Sequence, residues 1–281
     1  MQPVIKWSGS KRSQAETIKS LIPPFARYFE PFCGGCSVFG AVSPLRSVCG
    51  DICEPLINLW KEIRDNPEEV SCQYRQRWER LKESGGSEYY RIRENFNKTK
   101  CVYDFLFLSR TCVNGLIRFN SKGEFNSPFH ITRDGIKPET LHKIILEWSE
   151  RVKDTDFRCG NYTETTQDVT PDDVVYLDPP YFNTKGMYYG KIEFSEFLGY
   201  LESLNTKGVK WLLSYDGIQG DNDLMVEIPK ELYRKHLYIY SGNSSFNRVV
   251  NRKNVYVKES LYTNFEVQND PIHAIQNRRT H

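Results

Sequence analysis

Asp178-Pro179-Pro180-Tyr181 is the segment of the chain best equipped for chemistry. It sets a carboxylate, two rings that fix φ and an aromatic face in a row. The apolar run Val174-Val175-Tyr176-Leu177 precedes it and reads as a buried strand. The four residues are therefore presented at a strand's carboxyl end, where ligands sit in open α/β sheets. Each residue has a task if the substrate is a planar amine. Asp178 accepts one N–H and the carbonyl of Pro179 the other. Pro179 and Pro180 hold both acceptors in one geometry, and Tyr181 stacks on the plane.

A second group lies near the start. Glu30-Pro31-Phe32-Cys33-Gly34-Gly35-Cys36-Ser37 joins a short strand (27–32) to a helix opening at Val38. Glycines there allow a tight turn and close approach of a ligand to the backbone. Asp51 ends the next strand (46–49 and onward), where an acid would meet ribose hydroxyls. No phosphate-binding lysine motif and no full dinucleotide glycine pattern is present. The combination points to a nucleoside cofactor without a pyrophosphate, and S-adenosylmethionine fits. Lys6-Trp7-Ser8-Gly9-Ser10-Lys11 could fold over the methionine end of that cofactor, with a lysine pairing its carboxylate; an exposed arm is the other reading.

These residues need a frame. The chain has 281 residues, enough for one large domain with a sizeable insertion. Strands at 27–32, 46–49, 157–159, 174–177, 211–214 and 255–257, alternating with helices, predict a mainly parallel sheet. Leu56, Leu59, Trp60 and Ile63 predict a helix after the second strand. From about Asn66 to Asp156 the pattern changes to polar helices and then a loop rich in Asn, Gly, Ser and Arg. The chain divides into a discontinuous catalytic domain (1–65 and 157–265), an inserted domain (66–156) and a loose tail (266–281).

Charge separates these parts. The overall balance, 38 − 36 = +2, is nearly neutral, but residues 75–160 carry 17 basic against 12 acidic side chains, giving +5. Residues 230–258 carry 7 against 1, giving +6, so the remainder sums to −9. Two basic segments on an acidic body suit a nucleic-acid partner. No apolar stretch approaches the ~18–20 residues of a membrane span. Lys6, Lys11 and Arg12 interrupt the N-terminus where a signal peptide would be apolar, so a cytoplasmic protein is expected. Among eight cysteines, Cys33, Cys36, Cys49 and Cys53 have spacings that could suggest zinc, but two of them sit in the glycine turn; buried reduced thiols are the simpler reading, and no metal is expected.

Five blocks in order now carry a resemblance: residues 6–11, 30–39, 50–58, 105–129 and 178–181. Over about residues 6–265 the chain resembles the Dam-type DNA adenine-N6 methyltransferases, and its 105–129 block is most similar to the EcoRV-type modification methylases. The resemblance implies a Rossmann-like, S-adenosylmethionine-dependent methyltransferase sheet, an α/β fold with an inserted, mainly helical target-recognition domain. It implies that Trp7, Lys11, Phe32, Asp51 and Asp178 contact the cofactor. It places Asn114, Leu116, Arg118, Asn120 and Pro128 at the DNA, with Arg248 on a later basic loop. Double-stranded DNA would be the partner of a monomer that flips its target base; a cognate restriction endonuclease acting separately fits the same picture. Ser8, Ser10 and Cys36 depart from small residues frequent in the family, and a positive φ at position 36 would strain Cys.

The chemistry leaves neighbours open. Cytosine-C5 methylation would need a nucleophilic Cys, usually after Pro, and the chain has no Pro-Cys pair. Cytosine-N4 or RNA methylation shares the amine chemistry, with Asp178 favouring adenine by analogy. A non-catalytic DNA-binding protein on the same scaffold is the reading from another class.

Overall fold

The computed structural model describes residues 1–180, 192–219, 222–223, 227–241 and 257–267. Its centre is one sheet. Five strands run parallel in the order β3 (Thr155–Cys159), β2 (Ser47–Asp51), β1 (Tyr28–Glu30), β4 (Val174–Leu177) and β5 (Lys210–Gln219). Beyond β5 the sheet turns antiparallel through β8 (Val257–Thr263) and then β7 (Lys235–Ser241); the short β6 (Asn222–Asp223) pairs with the end of β5. The central strand β4 is continuously apolar and buried, as a strand covered on both faces is, whereas β3 at the edge, Thr-Asp-Phe-Arg-Cys, exposes Asp156 and Cys159.

The alternation of side chains sorts the core into two layers. Tyr28, Cys49, Tyr176, Leu212, Ile239 and Leu261 point to one face, where they meet α1 (Ala15–Leu21), α2 (Ser37–Val42) and α3 (Glu54–Asp65). Phe29, Val48, Val175, Leu177, Leu213 and Tyr262 point to the other, under α9 (Phe194–Thr206). Leu56, Leu59, Trp60 and Ile63 lie on the buried stripe of α3, whose first turn carries Glu54 and Pro55 as its N-terminus favours.

Between α3 and β3 stand α4 (Pro67–Ser84), α5 (Gly86–Thr99), α6 (Val102–Thr111), a single 3₁₀ turn (Val113–Gly115) and α7 (Pro138–Val152). Gly85, at φ 66°, breaks α4 from α5. A buried ion pair ties three of these helices: Arg77 of α4 meets Asp104 of α6 at 2.7 Å, and Asn95 of α5 donates to the same carboxylate at 2.6 Å. The expected boundary at 66 falls between α3 and α4. At the other end α7 packs on the catalytic part too: Trp148 lies 5.1 Å from Trp60 and fills the space a Cβ at Gly40 would need.

One expectation is corrected. The last strand, expected at 255–257, is Val257–Thr263, an amphipathic run with Glu259 and Ser260 inside it rather than an apolar one. At the start of the tail expected at 266–281, Val267 packs against the core and Glu266 pairs with Lys235 at 3.3 Å; residues 268–281 lie outside the described residues. Among the described residues no helix is long and apolar enough to cross a membrane.

Candidate active site

Strand order reverses at β1, whose neighbours β2 and β4 lead the chain to opposite sides, and a crevice opens at the carboxyl ends there. The period-two rule gives this crevice its character. Glu30 follows Tyr28, Asp51 follows Cys49, and Asp178 follows Tyr176, each two residues on along its strand direction. Glu259 stands two residues before Leu261 on antiparallel β8, so it reaches the same end. Four carboxyl groups thus gather on one face.

The glycine turn is shaped by its neighbours. The Gly34 amide donates to Asp51 Oδ2 at 3.1 Å, and Trp60 Nε1 donates to the Gly34 carbonyl at 3.0 Å. Gly34 has φ +46°, and a Cβ on it would stand 2.6 Å from the Trp7 indole, so only glycine lets that ring lie on the turn. Cys36 sits at φ 53°, ψ 35° and is buried: the left-handed strain foreseen for this cysteine is present. Its neighbours leave it protonated, because burial pushes the thiols of Cys33, Cys36, Cys49 and Cys53 upward. Among the described residues no group of three His, Cys, Asp or Glu is arranged to hold a metal. Ser10 and Ser37 join the N-terminal arm to the start of α2 through a 2.6 Å hydroxyl contact.

Lys11 is the cation of the crevice. Its ammonium lies 2.8 Å from Asp178 Oδ1, 3.7 Å from Glu259 Oε2 and 3.3 Å from the Gly9 carbonyl. Burial pushes the Asp178 carboxyl up to about 6 although Lys11 pulls it down, and Glu259 adds to the upward shift. Asp51 is pushed to about 6 by burial, opposed by the amides of Cys53 and Gly34. Glu30, buried and accepting a 2.7 Å hydrogen bond from the Tyr28 hydroxyl, rises to about 8, chiefly by burial and further by Asp178. Trp7, Lys11, Phe32, Asp51, Asp178, Pro179 and Pro180 all line one cleft. Tyr181 lies outside the described residues.

The residues expected at the DNA sit apart from this cleft. Residues 112–129 form a hairpin-like loop, bridged at Cys112–Phe129 and Phe119–Phe125. Asn114 (φ 55°) and Gly115 (φ 67°) turn its base, and Asn114, Arg118 and Pro128 are exposed while Leu116 is half-buried. Asn120 is spent locally: its oxygen accepts from the amides of Lys122 and Glu124, and its NH₂ donates to Glu124 at 2.8 Å. The arm connects this loop to the cleft. Lys6 packs its stem against Gly115, next to Trp7 on Gly34, while Arg110 donates to the Pro3 carbonyl at 2.8 Å. Arg248, with the basic loop expected around it, lies outside the described residues.

Comparison with known proteins settles the lineage. The profile of the D12 class N6 adenine-specific DNA methyltransferases matches residues 7–263. The chain belongs to this family. It is an adenine-specific DNA methyltransferase by descent, and its sheet is the Rossmann-like one expected of that class. The retron Ec67 DNA adenine methylase of Escherichia coli is 34% identical over 67% of this chain and 67% of its own. The DNA adenine methylase of Vibrio cholerae is 33% identical over 63% and 64%. The type II methyltransferase M1.LlaDCHI of Lactococcus lactis subsp. cremoris is 25% identical over 100% and 89%. The chain thus spans about two thirds of the length of the first two relatives.

Sequence reasoning missed several residues of the methyltransferase cleft. Glu30 lies in the 30–39 block and is given no role by it, although its parity with Tyr28 aims it at Asp178. Glu259 carried no signal, since its strand is polar and lies about 80 residues from Asp178 in sequence. Ile52, Asn161, Tyr162 and Ile192 complete the lining. Asn161 opens α8 (Tyr162–Thr165) through a reciprocal cap with Glu164, a pattern visible as Asn-x-x-Glu.

Proposed function

We propose that this methyltransferase moves a methyl group from S-adenosylmethionine to the exocyclic amine of an adenine flipped out of double-stranded DNA, at a sequence read by residues 66–156. The observation that carries the reading is Asp178 at the strand-order reversal, on the same face as Asp51 and in contact with Lys11. The cleft suits the cofactor. Phe32, Ile52, Tyr162 and Ile192 offer apolar surface for an adenine ring. Asp51 retains lone pairs for ribose hydroxyls beyond the two amide hydrogen bonds it accepts, and Lys11 can pair a carboxylate. When bound, the cofactor supplies an electrophilic methyl group.

The chain's own residues do the rest. An adenine amine is a weak nucleophile because its lone pair is delocalised into the ring. Asp178 and the Pro179 carbonyl, accepting its two N–H bonds, favour a tetrahedral nitrogen whose lone pair is free. Pro179 and Pro180 fix the acceptors in advance, and Tyr181 stacks on the extruded base, which a duplex could not otherwise deliver. Asn114, Leu116, Arg118 and Pro128 face the DNA, and Arg248 contacts its backbone. The protein acts as a monomer. Alignment of the whole chain with a type II methyltransferase supports a modification enzyme whose cognate endonuclease acts separately.

The test is Asp178→Asn with DNA and labelled cofactor. Turnover should fall at least ~100-fold, with cofactor binding by calorimetry within a few-fold of the parent. Turnover at the parent rate would remove Asp178 from the mechanism. Mass analysis of nucleosides should show N6-methyladenine in DNA; N4-methylcytosine or methylated RNA would redirect the reading.

A further inference from the structure

The cleft contains a cation shared unequally between two acids. Lys11 is nearly buried, with 6% of its side chain exposed, and its ammonium touches Asp178 Oδ1 at 2.8 Å. That contact holds one oxygen of the carboxylate assigned to the amine of the base. Glu259 stands on the other side of the ammonium at 3.7 Å, its side chain 16% exposed. Among the described residues Oε2 of Glu259 has no hydrogen-bond donor, so the ammonium is its charge partner. Glu259 is brought there by a feature of the sheet. The register of β5 against β8 shifts between Tyr215 and Gly217, so Ser260 faces Tyr215 and Glu259 faces Gly217. Bulges of this kind re-aim side chains beside active sites.

We propose that Glu259 is a positioning residue for methyl transfer: it draws the Lys11 ammonium off Asp178, opening the carboxylate to the amine of the base. The inference rests on the reading of Asp178 as the amine's acceptor. The move is small. Lys11 exchanges partners by closing the 0.9 Å between 3.7 and 2.8 Å, within reach of a four-carbon stem. A second carboxylate makes the exchange nearly balanced, whereas Lys11 with Asp178 alone would remain closed, because an ion pair in a dry site is strong. Among the described residues, the groups facing Asp178 are Glu30 from β1, Tyr176 from β4, Lys11 from the arm and Glu259 from β8, and of these only Lys11 is cationic. Removing the charge of Glu259 therefore has two effects of known sign. It leaves Lys11 on Asp178, which slows transfer, and it removes a negative neighbour that holds the Asp178 carboxyl up.

The experiment measures single-turnover methyl transfer for the parent, Glu259→Gln and Glu259→Asp between about pH 5 and pH 9, with cofactor and DNA affinities measured alongside. Glu259→Gln should transfer about tenfold more slowly, with both affinities within about threefold, while the acid limb of the profile moves to lower pH. Glu259→Asp, which keeps the charge, should keep the acid limb in place. A merely structural residue would lower the rate without moving the limb. The proposal is overturned if Glu259→Gln matches the parent in rate and limb, or if Glu259→Asp moves the limb as far as Glu259→Gln. Where the amide variant does not fold, Glu259→Met is judged by the same criteria. Asp178→Asn separates the two claims: if it retains turnover, the reading of Asp178 fails; if it loses turnover while Glu259→Gln is unaffected, only the role of Glu259 fails.

Discussion

Glu30 offers the sharpest test of the electrostatics, because its position fixes the sign, the size and the pH window of one effect. The carboxyl is buried beneath the cleft, accepts a hydrogen bond from Tyr28 and is pushed from 4.5 to about 8. An acid whose folded pKa lies above its unfolded value holds its proton more tightly in the native state. Its contribution therefore favours folding at low pH and is lost as pH rises from the unfolded pKa through the folded one. The full span is 3.5 pH units, and at ~1.36 kcal/mol per unit it amounts to ~5 kcal/mol. Asp178 and Asp51 act in the same direction, but both are half-titrated in the native state near pH 6. Above about pH 6.5 Glu30 dominates the remaining change. From there to about pH 8 it should remove ~1.5 kcal/mol of stability by the same linkage.

Glu30→Gln keeps the shape, keeps an acceptor for the Tyr28 hydroxyl and never ionises. Urea unfolding of the parent and the variant, followed at half-unit steps from about pH 6.5 to about pH 8, should show a gap that widens by ~1.5 kcal/mol in favour of the variant. Parallel stability curves would mean that Glu30 is already ionised in the folded protein. The account of Glu30 as a neutral acid beneath the cleft would then be wrong.

Three further outcomes follow from packing and from the loop proposed to read DNA. Gly34→Ala places a methyl group 2.6 Å from the Trp7 indole at φ +46°; it should cost ~1–2 kcal/mol of stability in backbone strain and weaken cofactor binding at least ~10-fold by calorimetry, and an unchanged affinity would dissociate Trp7 from the cofactor. Asp104→Ala leaves the Arg77 guanidinium buried without its carboxylate, which should cost ~3–5 kcal/mol in chemical unfolding; a loss under about 1 kcal/mol would show that solvent reaches the pair. Arg118→Ala should relax preference at a single base pair by ~1–3 kcal/mol in competition binding; an equal loss on all sequences would make Arg118 a backbone contact.

What the sequence made legible depended on how locally each feature is encoded. Val174–Leu177 was found at its true bounds because a short apolar run bounded by Asp173 and Asp178 admits one register. Asp51 was found because β2 and the turn before it are adjacent in chain and in space. The strain at Cys36 was legible because a left-handed position is a property of one residue. Glu259 was not, since nothing near it in the chain hints at Lys11, and the strand was expected at 255–257 rather than at Val257–Thr263. Polar residues within β8 are the mark of a strand that lines a cleft, and the periodicity that identifies core strands misses it. Trp148 was assigned to the insertion by sequence order, yet Gly40 and Trp60 need it as a lid; only the packing of distant helices reveals that double use.

The gathering of Glu30, Asp51, Asp178 and Glu259 on one sheet face also bears on why this cleft would hold its ligands. Asp51 and Asp178 each rise from 3.8 to about 6. At neutral pH each ionised carboxylate is therefore disfavoured by ~3 kcal/mol relative to water (2.2 pH units at ~1.36 each). A partner that donates hydrogen bonds without adding negative charge relieves that cost. Ribose hydroxyls at Asp51 and an exocyclic amine at Asp178 both do so, while a phosphate at either place would add to it. The same arithmetic explains the neutral state of Glu30: a fourth charge beside Asp178 would raise the acceptor further and shorten the pH range in which it works. Selectivity for neutral donors over anions is thus built into the sheet before any ligand arrives. Cofactor binding should accordingly release the acid-side dependence of stability, flattening the profile between about pH 4 and pH 6 when S-adenosylmethionine is present in excess.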